Sequence, residues 1–398
     1  MTPRKDCAKC GACTVVCPAW QAGQRESLSA RGKLHLLGHL DPAQASAAYA
    51  EILSQCLLCG ACRNVCSRGL DPPAILIAAR ERLAKQGGRR AMLRGLGRKA
   101  MASPALLAAI TAMGLPLLAR LPADSGLRLR LGLPRNKSGT AAKPAVLETA
   151  APPRTIAYFA GCFAAYLRRD IAGATAQIVA ASGAGAPLVP TGQTCCGLAA
   201  ASAGDLDTAR RLARENISAF ASTDLPILTS CASCYSQLRG YPELFAHDPR
   251  WQAKARAFAC RLLEFSTFVA GAMQAKPGLR FSALRTPRTV VYHDPCHLRF
   301  QEKITVPPRT VLEAIPGLTL REPTGGPRCC GQGGLFHLAH PDLAQSIREK
   351  LLAAVLPMQA DLITTTCSGC LLHIGQGLAA RPAAPEGKHL ALLLAELL

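Results

Sequence analysis

Nineteen cysteines, eighteen of them in tight groups, constrain this chain more than any other feature of its 398 residues. Two groups open the sequence: Cys7, Cys10, Cys13 and Cys17, then Cys56, Cys59, Cys62 and Cys66. Ten more recur further on as two sets of five. A chain that used them as disulfides would be short and would carry an apolar leader. Here Met1-Thr2-Pro3-Arg4-Lys5-Asp6 runs straight into the first group. An odd number in tight groups reads as thiolate metal ligands in a reducing, cytoplasmic compartment. With 49% hydrophobic and 18% charged residues the chain can bury sizeable cores, which excludes a disordered protein. Its length suggests two or three domains.

The first two groups share the spacing C-x2-C-x2-C-x3-C, followed by Pro18 in one and Ser67 in the other. Three thiolates two residues apart wrap three corners of a cuboidal [4Fe–4S] cluster, and the fourth, opening a helix, serves the other cluster. The expected ligands are Cys7, Cys10, Cys13 and Cys66 for cluster 1, and Cys56, Cys59, Cys62 and Cys17 for cluster 2. Zinc sites also use C-x2-C pairs, but four cysteines in this spacing, present twice, favour iron–sulfur. The intervening segment, about Arg25 to Leu53, reads helical through Leu34, Leu36, Leu37 and Leu40. It is longer than in a compact ferredoxin and resembles the helical ferredoxin-type domain of respiratory iron–sulfur subunits. A helix over Pro73 to Lys85 should complete this domain, residues 1–86.

Residues 87–152 read as a basic, apolar connector. From Arg80 to Lys137 thirteen basic residues face only Glu81 and Asp124, about half of the chain's net charge of +21. Within it Met101 to Ala119 carries no charge. Its Pro104, Gly114 and Pro116 argue against a span. An interfacial or partner-docking helix, on an anionic membrane surface or an acidic subunit, stands beside a plain linker with one buried helix. No nucleic-acid motif accompanies the charge, so nucleic acid is not an expected partner.

From Pro153 onward the chain repeats itself. Cys162, Cys195-Cys196-Gly197 and Cys231-x2-Cys234 return as Cys296, Cys329-Cys330-Gly331 and Cys367-x2-Cys370, at offsets of 134 and then 136 residues. Apolar runs at Thr155 to Ala160, Pro226 to Ser230, Thr289 to His293 and Leu362 to Thr366 read as strands ending at these cysteines. Helical stretches at Tyr166 to Ser182, Leu206 to Phe220 and Pro341 to Val355 lie between them. Alternating strands and helices predict a parallel α/β sheet with its site at the carboxyl ends of the strands, beside helix N-termini that favour thiolates.

The pattern C-x32-CC-G-x33-C-x2-C, with Ala157-Tyr158-Phe159-Ala160-Gly161-Cys162 and His293-Asp294-Pro295-Cys296-His297-Leu298, resembles the CCG cysteine-rich domain. A ferredoxin-type head joined to two such domains, residues 153–285 and 286–398, is most similar to the glycolate oxidase iron–sulfur subunit family. Related chains are the CCG-bearing subunit of heterodisulfide reductase and the iron–sulfur subunits of lactate and glycerol-3-phosphate dehydrogenases. The resemblance implies an α/β fold in which a helical head with two [4Fe–4S] clusters precedes a duplicated CCG domain. It further implies one or two noncubane [4Fe–4S] clusters. Their ligands would be Cys162, Cys195, Cys196, Cys231 and Cys234 in the first copy, and Cys296, Cys329, Cys330, Cys367 and Cys370 in the second. Zinc remains open, since four thiolates of a copy satisfy it. The implied role is electron transfer from a separate FAD-binding 2-hydroxy acid dehydrogenase, most simply one oxidising glycolate, to a quinone-linked acceptor on the inner face of the membrane. Lactate or glycerol 3-phosphate as substrate, or disulfide cleavage at the CCG clusters themselves, are the alternatives.

No flavin site and no base for a hydroxy acid are evident in the chain, so no catalytic residue is expected in it. Cys260, on the apolar run Ala257 to Leu263, reads as a buried small hydrophobe. His293 and His297 flank Cys296 and are candidates for ligation or proton transfer, against the commoner role of orienting a turn. His337, His340 and His373 are weaker candidates. Gly331-Gln332-Gly333-Gly334 follows a cysteine pair and reads as room for a cluster, not as a dinucleotide loop.

Overall fold

The computed structural model describes residues 7–40, 46–84, 154–275, 278–381 and 383–398. The connector and everything expected of Met101 to Ala119 lie outside the described residues. No helix among the described residues is long and apolar enough to cross a membrane.

The head is built from short helices because cysteine loops and cap residues interrupt it so often. Ser29 accepts from Gly32 N at 2.9 Å to start Ala30–His39, and Ser46 accepts from Tyr49 N at 3.2 Å to start Ala47–Ser54. Such caps satisfy N–H groups that the first turn leaves without partners. The expected last helix is present as Pro72–Ala84, with two prolines in its first turn, where a missing N–H costs nothing. Tyr49, Leu53, Leu76 and Ala79 form its core. The leucine pattern at 34–40 does not define the buried face: Ala30, Gly32 and Lys33 are buried, whereas Leu40 lies past the helix end and is half exposed. The reason is hydrogen bonding at Lys33, described below.

The duplicated half contains two parallel sheets. In the first, β1 (Ala157–Tyr158), β2 (Ile227–Thr229) and β3 (Leu262–Glu264) lie in the order β1-β2-β3. The second contains β4 (Arg288–Tyr292), β5 (Leu318–Arg321), β6 (Leu362–Thr365) and β7 (Glu386–His389), in the order β5-β4-β6-β7. The two match once a single parallel bridge, Ala157 to Leu188, is set against β5. Ala157 pairs with Ile227 as Val291 pairs with Ile363. The central strands β2 and β6 are buried throughout, as expected for parallel strands covered on both faces.

Pro341–Val355 spans the residues expected for it and buries Ala344, Ile347, Leu351, Leu352 and Val355, one helical face. Leu206–Ala219 likewise forms as expected, with Asp205 capping Thr208 N at 3.2 Å. The continuous helix expected over Tyr166 to Ser182 is broken. A π-helical turn, Phe163–Leu167, gives way at Arg168 to Arg169–Val179, and a second π turn follows. A π turn, His297–Glu302, also follows Cys296 in the second copy, so both leading cysteines precede the same local irregularity, of a kind frequent at functional sites.

The copies share a core. Phe159, Ile227 and Leu262 pack in one cluster with Val291, Leu352 and Ile363. The head closes on both: Ala19, Leu28 and Leu57 pack on Phe336, Ala344 and Ile347, and Arg80 donates to Ser202 O.

Candidate metal centres

None of the nineteen cysteines forms a disulfide. In the head, Cys17 is the N-cap residue of the helix Pro18–Gly23, and its thiol donates to Leu28 O at 3.6 Å. Burial pushes its thiol up, and Cys56 adds to the effect. Burial also pushes up Cys62, helped by Cys56, Cys17 and Cys13, and it pushes up Cys13, helped by Cys7 and Cys10. Cys17 therefore sits among the cysteines of the second group. Cys66 ends the second loop, half-buried.

Two buried cations flank that second group. Lys33 is fully buried; its Nζ donates to Ser27 O at 2.9 Å and Leu28 O at 2.6 Å. Burial holds its pKa below the usual lysine value, while Cys56, Cys17 and Cys62 act in the opposite sense. The Arg80 guanidinium donates to Leu53 O, Ser54 O and Cys56 O, at 2.8 Å for the last. Arg80 thus belongs to the head's interior and not to the connector with which its charge was grouped. Sequence reading also passed over Lys33, whose only signal was a lysine on a helix face otherwise rich in leucine. A cation here favours the more negative, reduced state of a neighbouring cluster. Lys33→Met is therefore expected to lower the second head cluster's midpoint potential by roughly 50 mV, about 1 kcal/mol for one electron. EPR-monitored redox titration should show the first cluster unmoved.

In the first CCG copy two of the five thiols follow strands, two precede a helix, and Cys234 lies in the first turn of another. Cys162 follows β1, Cys231 follows β2 and caps the helix Ala232–Arg239, and Cys195 and Cys196 precede Leu198–Ser202. Asn216 and Tyr241 secure the pair: Asn216 Nδ2 donates to Cys195 O at 3.0 Å and Tyr241 Oη to Cys196 O at 3.1 Å. The glycine after each pair is left-handed, φ 86° at Gly197 and 85° at Gly331, a conformation that other residues rarely adopt. At Gly331 a Cβ would also meet Ala344 O at 2.5 Å. That explains the third letter of the CCG pattern.

The second copy repeats the arrangement with different supports. Cys296 follows β4, and Cys367 follows β6 and caps Ser368–Ala379. His373 Nδ1 bonds Cys330 O at 2.7 Å, and burial pulls this imidazole down to about 4, so it is neutral and donates. Cys330 Sγ lies 3.1 Å from Cys370 Sγ. Cys329 is held well below the usual thiol value by the thiols of Cys296 and Cys330, which are themselves raised. The first copy behaves alike: Cys195 is lowered by Cys162 and Cys196, and Cys231 by Cys234 and Cys367. In each copy the buried sulfurs oppose one another's ionisation: where one thiol is lowered, its neighbours are raised. A full set of thiolates needs added positive charge, which suits a multi-iron or zinc centre.

The sites are neighbours. Ala232 N donates to Thr366 O at 2.9 Å, and Ser233 Oγ lies 3.1 Å from Cys367 Sγ and 2.9 Å from His297 Nδ1. Cys231 in turn raises Cys367, to about 11. On the other side the second copy's Cys329 raises the thiol of Cys59, and Cys59 in turn helps to raise Cys296. Leu57, Ser233, Cys296, Cys329 and Cys370 line one cavity with Gln332, Gly333 and Gly334, so the glycine run does border the site. The spatial order is first head group, second head group, second CCG site, first CCG site. His340 instead serves docking, with Nε2 2.9 Å from Ser54 Oγ. His337 bonds Gly334 O at 3.2 Å. Cys260 is exposed at the end of Pro249–Cys260, not buried as its apolar surroundings suggested, because the helix turns that position outward.

Family comparisons agree with this layout. A 4Fe-4S dicluster domain matches residues 4–70, and a cysteine-rich CCG domain matches residues 156–239 and 290–375. The chain is 29% identical to the "Probable glycolate oxidase iron-sulfur subunit" of Bacillus subtilis, over 99% of this chain and 93% of that one. It is 30% identical to lactate utilization protein A of Shouchella clausii, over 52% of this chain and 84% of that one. A hypothetical protein from Helicobacter pylori has a similar fold, with TM-score 0.56 at 8% identity over 94% of this chain and 69% of that one. Head, duplicated cysteine sets and relatives together place the chain in the family of the glycolate oxidase iron–sulfur subunits, proteins that carry multiple iron–sulfur clusters.

Proposed function

We propose that this chain is the electron-transfer subunit of a flavin-dependent 2-hydroxy acid dehydrogenase. Glycolate is the favoured substrate of the complex and lactate the alternative, after the names of the relatives. The observation that supports the reading best is the unbroken succession of cysteine sites from head to first CCG copy. Cys7, Cys10, Cys13 and Cys66 would hold one head cluster, and Cys56, Cys59, Cys62 and Cys17 the other. The five cysteines of each CCG copy would hold one further cluster apiece. Bound clusters supply one-electron redox chemistry. The protein's part is to seat them at short range, exclude water with Leu57 and the shared core, and set their charge environment with Lys33 and Arg80. Domain limits near 86, 153 and 285 follow from the same reading, as does a cytoplasmic site on a membrane or acidic partner through the basic connector.

The flavoprotein should copurify with the full chain, and hydroxy acid added to the pair should reduce both flavin and iron. Flavin reduction without bleaching of the iron–sulfur absorbance would refute the assignment. A second reading, disulfide cleavage, draws on the cavity where His297 and Ser233 meet Cys296 and Cys367. It requires thiol release from a disulfide by the chain without any flavoprotein.

A further inference from the structure

The two CCG copies differ at a buried position beside the last cysteine of each set. Backbone bonding identifies it: Phe159 N donates to Leu228 O at 2.8 Å, and His293 N donates to Thr364 O at 2.8 Å, the same bond in each sheet. Phe159 is completely buried, and a Cβ built at Gly161 would meet its ring at 3.4 Å and Cys234 Sγ at 3.1 Å. The phenyl thus lies beside the last cysteine of its copy. His293 takes the equivalent place in the second copy. Its side-chain nitrogen and the sulfurs of Cys330 and Cys370 all lie within 4.8 Å of one another, and all three residues are buried.

The imidazole Nε2 is buried and has no hydrogen-bond partner. An orphaned polar atom in a core is disfavoured unless something else satisfies it. A phenylalanine in the same place shows that the fold accepts an apolar ring there, so packing does not require a histidine. Nor is the ring free to leave. The next residue, Asp294, is 2% exposed at its side chain and is held by Arg309 at 2.8 Å and Arg299 at 3.4 Å.

We propose that His293 is a protein ligand of the second CCG site, binding through Nε2 beside Cys330 and Cys370. The second copy is then a mixed nitrogen–sulfur site, and the first, with Phe159, an all-sulfur site. This rests on the reading that the CCG cysteines hold iron–sulfur clusters. The imidazole adds a neutral nitrogen donor to the five thiolates of that copy, so the two sites differ in ligand type and not in ligand charge.

The test uses the full chain purified anaerobically, with and without 15N-histidine, and enriched in 57Fe. Pulsed EPR of the paramagnetic states should show a histidine nitrogen coupled to one CCG cluster, changing with the label. Mössbauer spectra, which also report diamagnetic states, should show one iron with the raised isomer shift of nitrogen ligation. In His293→Phe both features should vanish, and the head signals should stay. If this variant does not accumulate, His293→Gln is read in the same way. Absence of histidine coupling together with all-sulfur Mössbauer parameters, or coupling that survives the substitution, would overturn the ligand assignment alone. Finding no iron in the duplicated half would remove the cluster reading and the ligand with it.

Discussion

Cys330→Ser is expected to delete one CCG cluster and to slow electron transfer out of the head by more than about 100-fold. Loss of an outer-shell partner alone costs roughly 10–100-fold in a metal site, and Cys330 is proposed as a ligand. It is buried, 3.1 Å from Cys370 and adjacent to Cys329, the thiol that acts on Cys59 of the second head group. Flavin reduction in the partner and both head signals should be unchanged. Cys196→Ser removes the counterpart in the first copy, which lies one site further from the head. It should leave transfer from head to second copy intact and stop transfer beyond it. Cys260→Ser, at an exposed helix end, should alter nothing. Rapid-freeze EPR after mixing reduced flavoprotein with each variant separates these cases. Normal electron transfer in both ligand variants would make the duplicated half a docking scaffold.

The division between what the sequence carried and what it did not follows the range of the interactions. Cysteine spacing is local, and so are the strand ends that bear it; β2, β4 and β6 fall within a residue or two of the apolar runs that predict them. The CCG glycine was legible as a motif, though its reason, φ near 85° against Ala344 O, is a tertiary fact. Lys33 and Arg80 were not legible. A lysine on a helix face reads as solvated, and only the carbonyls of Ser27, Leu28 and Cys56 turn these two cations inward. The same holds for Ser233, which reaches Cys367 across 134 residues of sequence. The order of the sites was hidden for that reason: it is fixed by docking of the head on Phe336, Ala344 and Ile347. Cys260 shows the converse error, because apolar neighbours in sequence did not bury it.

The most direct test of the account is the metal content of the full chain purified without oxygen. Eight head cysteines at this spacing hold two four-iron clusters, about eight irons in all. Each set of five CCG cysteines crowds buried thiols that raise one another, so a full set of thiolates needs added positive charge. One cluster per copy brings the total to about sixteen irons, with an equivalent amount of acid-labile sulfide and no zinc. The Cys330→Ser and Cys196→Ser variants should each then lose about four irons, one cluster's worth. About eight irons per chain, with zinc or no metal accounting for the remaining cysteines, would contradict the claim that the duplicated domains carry electrons.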